Sequence, residues 1–127
     1  MRDVEFIVPW LGPSLNSIYN SKHWAILREH KRLAAIAVMV GVGNARWSRE
    51  LRFPVIISIK PLLGKGQRKY DMINYALTYK IIEDCLVHRG ILPDDSHKYV
   101  QAFQIEQPVR TDKRHSETLV KIISAPG

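Results

Sequence analysis

The apolar positions of the chain fall into short β-branched runs and two longer stretches with helical spacing. Val4 to Trp10 (VEFIVPW) is β-branched and aromatic and is stopped by Gly12-Pro13, which predicts an opening strand followed by a turn. Pro13 to Asn20 reads as a loop. Ser21 is placed to cap a helix from about Lys22 to Val40, on which Trp24, Ile26, Leu27, Leu33, Ile36 and Val40 form an apolar stripe. Gly41-Val42-Gly43-Asn44 ends it, because glycine and asparagine accept the left-handed backbone of a helix C-terminus.

Leu51 to Leu63 contains the dense run PVIISI and predicts a strand, followed by the flexible basic loop Gly64 to Lys69. A second helix starts at Asp71 or Asn74, continues to His88 and is closed by Gly90. Tyr99 to Ile105 and Glu117 to Ser124 predict two more strands, separated by the charged turn Arg110 to Arg114. The order β-α-β-α-β-β predicts a single α+β domain over residues 1–127, a mixed sheet with two main helices on one face.

On the second helix, steps of about 100° per residue gather Tyr75, Leu77, Thr78, Ile81, Ile82, Cys85 and Leu86 on one side. Ala76, Lys80, Glu83, Asp84 and Val87 fall on the other, so Lys80 and Asp84 stand one turn apart. An ordinary i,i+4 salt bridge on a solvated face explains that pair by itself.

Charge changes the picture. Nineteen Lys and Arg against twelve Asp and Glu leave a formal net charge of +7, which favours a polyanionic partner, nucleic acid before an anionic membrane surface. The longest apolar stretch, Leu33 to Val42, is far short of the roughly 20 residues that cross a bilayer. The first residues, with Arg2, Asp3 and Glu5, do not have the pattern of a secretory signal. The lone Cys85 excludes an internal disulfide and a thiolate zinc cluster, and the expected location is the cytoplasm.

Acidic residues flank the second helix: Asp71 precedes it, and Asp94-Asp95 follows a Gly90-Ile-Leu-Pro93 turn that can fold back beside it. A hard divalent cation such as Mg2+ takes oxygen ligands, commonly one or two carboxylates with water and substrate phosphate, and such a cluster supplies them. Paired aspartates in a turn also serve as caps.

The run Asp71-Met-Ile-Asn74, Lys80, Asp84-Cys-Leu86, Gly90, Asp94-Asp95 and Val100 resembles the core motif of the RusA-like Holliday junction resolvases. Pro13-Ser-Leu-Asn16 and the basic helix after it resemble the family's opening, so the likeness extends over most of the chain, although only residues 71–100 make it specific. Two positions depart from the pattern. Ile73 stands where the family's Asp-x-Asp-Asn has its second acid, and Lys80 lies three residues beyond the usual lysine, nearly one helical turn. The resemblance implies a homodimeric endonuclease that cuts four-way junctions or other branched DNA with Mg2+, for which Mn2+ substitutes. It implies Asp71 and Asp95 as metal-holding catalytic residues, Asp84 and Asp94 as further ligands or supports, and Lys80 as the group that offsets charge on the phosphate. Asp84 or Asn74 is left to take the place of the missing acid. Asn74 otherwise bonds a carboxylate or a bound water, or simply caps the helix.

Lys65, Arg68 and Lys69, beside Asp71, and Lys22, Arg28, Lys31 and Arg32 on the first helix are the candidate DNA-backbone contacts, with solvated surface as the alternative. Gly64-Lys65-Gly66 lacks the pattern of a nucleotide-binding phosphate loop. The five histidines have no zinc-like spacing, and Cys85 is expected to be buried and inert. A RusA-fold protein that binds DNA structures without cutting them is the rival reading, since Ile73 has replaced an acid.

Overall fold

A computed structural model describes residues 3–19 and 24–126. In chain order they form β1 (Val4–Val8), α1 (Leu15–Tyr19), α2 (Trp24–Gly43), β2 (Arg46–Trp47), β3 (Val55–Leu63), a 3-10 turn (Met72–Tyr75), α3 (Ala76–His88), β4 (Val100–Ile105), β5 (Val109–Arg110) and β6 (Glu117–Ser124). One sheet runs β2-β1-β6-β3-β4, and β5 pairs with the end of β3. β3 is parallel to β4 and β5 and antiparallel to β6, so the sheet is mixed, as the order of elements predicts.

Strict alternation makes this sheet two-sided. Along β3, Val55, Ile57, Ile59, Pro61 and Leu63 are buried while the residues between them are half-exposed, and β6 repeats the pattern with Thr118, Val120 and Ile122. Val4, Phe6 and Val8 of β1 join the same face, against which Ala34, Ala37 and Val38 of α2 and Ile81, Ile82 and Leu86 of α3 complete the core. The domain is therefore a small α+β layer of helices on one sheet face.

Helix α2 departs from its expected orientation. Ile26, Leu33, Ile36 and Val40, with Met39, are 40–48% exposed, whereas the small residues Ala34, Ala37 and Gly41 face the sheet. The cause is the closeness of the approach: a Cβ at Gly41 would lie 2.6 Å from the carbonyl oxygen of Ile7. Gly41 is thus a contact residue within the helix and not its stop. The end comes at Asn44, whose side-chain amide donates to the Val40 carbonyl at 3.1 Å, with no left-handed residue needed.

Other elements differ less. Residues expected as a loop contain α1, and the proposed cap Ser21 lies outside the described residues. Gly90, at φ +79°, closes α3 as expected of a glycine there. Asp3 is fully buried at the edge of the sheet, where it accepts from Arg49 Nε at 2.7 Å and from the Ser124 amide at 2.5 Å.

Candidate metal and phosphate site

Helix α3 presents Lys80, Glu83 and Asp84 on adjoining turns, and the segment after it supplies the fourth member. Beyond Gly90, the amides of Ile91 and Leu92 both donate to the Leu86 carbonyl, at 3.0 and 3.3 Å, while the fully buried Leu92 anchors the turn. The chain therefore doubles back along α3 and brings Asp95 beside Lys80. The Asp94 side chain accepts from the Asp95 amide at 2.8 Å, which fixes that turn.

Lys80 Nζ lies 3.0 Å from Asp84 Oδ1, 3.0 Å from Asp95 Oδ2 and 3.7 Å from Glu83 Oε1. Carboxylate oxygens of Glu83, Asp84 and Asp95 come within 4.8 Å of one another, the one set of potential metal ligands this close among the described residues. The donors are all oxygens, as a hard cation requires, and Lys80 already supplies one counter-charge. Its hydrogen bonds to Asp84 and Asp95 push the lysine pKa upward, and the bond from Lys80 holds the Asp95 carboxyl below the usual range.

Glu83 is the deepest of the three, only 7% exposed, although the helical pattern places it on the outer face with Lys80. Tyr79 explains this. Its hydroxyl donates to Glu83 Oε2 at 2.5 Å, and burial, together with that bond, raises the phenol pKa. Tyr79 stacks on Phe103 of β4 with ring centroids 4.2 Å apart and 17° between planes. Phe103, 51% exposed, walls a cleft of about 430 Å³ that also contains Lys80, Glu83 and Asp95.

Asp71 and Asn74 belong to a different cleft. Asp71 caps the 3-10 turn through its backbone, its carbonyl accepting from the Asn74 amide at 2.9 Å, and its exposed side chain makes no capping bond. With Asn74, Arg68 and Lys69 it lines a polar cleft of about 230 Å³. Asn74 does not hold a carboxylate: its Oδ1 accepts from the Asn16 amide at 2.8 Å. This bond and another, from the Gly12 amide to Thr78 Oγ1 at 2.9 Å, fasten the Pro13–Asn16 segment to the motif-bearing helix. Of the expected ligands, then, Asp84 and Asp95 come together with Lys80, while Asp71 and Asp94 stand outside the carboxylate trio.

Among the expected DNA contacts, Lys65, Arg68 and Lys69 are exposed, as are Arg28 and Lys31 on α2. Arg32 is forked onto Glu29, at 2.9 and 2.5 Å, which offsets its charge. Lys22 lies outside the described residues. Cys85 is half-buried, and burial pushes its thiol pKa up, away from thiolate chemistry. Sequence reasoning passed over Glu83 as a ligand and Tyr79 and Phe103 altogether. Glu83 was detectable from its i,i+3 spacing to Lys80, whereas Phe103 depends on pairing between β3 and β4. No model of a known protein family matches this sequence, and no curated protein matches it.

Proposed function

We propose that the chain is a RusA-like, divalent-cation-dependent endonuclease of branched DNA, cutting phosphodiester bonds at the Lys80, Asp84 and Asp95 cluster. The observation that carries the reading is the meeting of Lys80 with Asp84 and with Asp95, fifteen residues on, at an exposed cleft close in sequence to a basic loop. Glu83, Asp84 and Asp95 are the residues that would hold Mg2+ or Mn2+. Such a cation, when bound, activates water and offsets charge on the scissile phosphate. Lys80 orients the phosphate through its ammonium group, and Tyr79 keeps Glu83 aimed at the cluster. Arg68 and Lys69, exposed on the loop before Asp71, attract the DNA backbone. The test is cleavage of a synthetic four-way junction with Mg2+ or Mn2+, expected to yield paired nicks.

A second reading, a RusA-fold protein that binds junctions without cutting them, is favoured by the position of Asp71 outside the trio. Ile73, 69% exposed, offers no ligand where the motif has an acid. Junction binding with no cleavage in either cation selects this reading.

A homodimer belongs to the proposal, since two symmetric nicks call for two sites about a two-fold axis. The outward stripe of α2 supports a second copy as its occupant. Leu33, Ile36, Met39 and Val40 on that face are apolar side chains left 40–48% exposed, which a mate helix would cover. Leu33→Glu with Ile36→Glu, both at exposed positions, is expected to halve the mass seen by light scattering while the fold survives. An unmodified protein that is monomeric at micromolar concentration removes the dimer from the proposal.

A further inference from the structure

Two basic segments that lie far apart in the sequence meet at the end of β3. The Gly64 amide donates to Ser116 Oγ at 2.9 Å, and the Lys65 amide donates to the Lys113 carbonyl at 2.9 Å. Arg110 Nη1 donates to the carbonyls of Gly64, at 3.0 Å, and Gln67, at 2.8 Å, and so holds the loop in place. Gly64 is what permits the contact, because a Cβ there would lie 2.6 Å from the carbonyl carbon of His115.

The joined segments, residues 64–69 and 110–117, carry six Lys and Arg side chains and two acidic ones. Glu117 is occupied by Lys113 Nζ at 2.9 Å. Lys65, Arg68, Lys69 and Arg114 are exposed and have no ion-pair partner among the described residues. Arg68 and Lys69 also line the cleft that contains Asp71. Unpaired cations gain by displacing the counterions of a polyanion, and the two-segment tie holds the two stretches together before binding.

We propose that the turn Arg110–Arg114 and the loop Gly64–Lys69 form one track for the phosphate backbone of a DNA arm, in which Arg114, Lys65, Arg68 and Lys69 grip the strand. The choice of DNA as the polyanion rests on the nuclease reading; the surface itself rests on the hydrogen bonds and charges above. Arg114 thereby becomes a DNA-binding residue that local sequence assigns only to a charged turn.

Fluorescence anisotropy of a labelled four-way junction, titrated from low to moderate salt, tests this. Arg114→Gln and Lys65→Gln are each expected to reduce the slope of log K against log[salt] by about 0.9 and to weaken binding about eightfold at about 0.1 M salt. The double variant should lose about twice that slope. Arg52→Gln, exposed and just before the opposite end of β3, is the control and should leave the slope unchanged. If the parent binds while Arg114→Gln matches it in slope and affinity, the track is overturned and the nuclease reading stands. An equal loss from Arg52→Gln overturns it too, because the field is then diffuse. A parent that binds no DNA removes both the track and the nuclease reading.

Discussion

Asp95→Asn is expected to lower junction cleavage by about two orders of magnitude or more and to leave junction affinity equal or slightly higher. Asparagine keeps the shape of the side chain but removes the negative charge that a hard cation requires, and loss of about 3 kcal/mol of transition-state stabilisation corresponds to about a hundredfold in rate. Affinity survives because the basic surface is untouched and one phosphate-repelling charge has gone. The geometry also orders the other variants. Asp84→Asn should fall nearly as far as Asp95→Asn, since both carboxylates stand 3.0 Å from Lys80 Nζ within one trio. Asp71→Asn should be milder, because Asp71 lines a separate cleft with Arg68 and Lys69, outside the carboxylate trio. Lys80→Ala should lose rate while calorimetry shows Mn2+ binding retained or tighter, since a competing ammonium is removed from the carboxylates. Single-turnover cleavage of a labelled junction measures the series. A harmless Asp84→Asn beside a dead Asp71→Asn would transfer the ligand role from the trio to Asp71 and Asp95.

Asp3→Ala is expected to cost about 2–3 kcal/mol of folding stability. The carboxylate is fully buried, and its removal leaves the Ser124 amide, at 2.5 Å, and Arg49 Nε, at 2.7 Å, without their acceptor. A fall in Tm of about 10 °C by calorimetry is the corresponding readout. Burial by itself would raise the Asp3 pKa, but the hydrogen bonds from Ser124 and Arg49 outweigh it and bring the carboxyl from 3.8 down to about 2. A folded-state pKa below the unfolded one adds stability that is complete above about pH 4 and disappears as the pH falls toward 2. The gap between parent and Asp3→Ala should accordingly be full at neutral pH and narrow between pH 4 and 2. A gap that stays constant down to pH 2 would mean that the charge on Asp3 contributes nothing.

The strands were legible in the sequence because β-propensity is a local property. VEFIV, PVIISI and the segment Glu117–Ser124 are dense in β-branched residues, and the mixed α+β order follows from their sequence, whereas which residues alternate inward is set by the packing of one sheet face. Helix α3 was legible for a similar reason: steps of 100° put Lys80 and Asp84 on one outward face, and the structure joins them. The phase of α2 was not. From Leu33 to Gly43 it has no polar residue, so periodicity offers no preferred face, and the choice falls to steric fit, which admits Ala34, Ala37 and Gly41 against the sheet and turns Leu33, Ile36 and Val40 outward. Tertiary structure likewise decided which acids meet. Asp95 reaches Lys80 because Leu92 is buried and turns the chain back, while Asp71, five residues before Ala76, lines a cleft of its own. Asp3, Ser124 and Arg49, and the Lys65 loop with Lys113, are contacts across 46 or more residues. A residue's local pattern carries no trace of a partner at that distance; only the packing of the sheet edges brings such groups within hydrogen-bond reach.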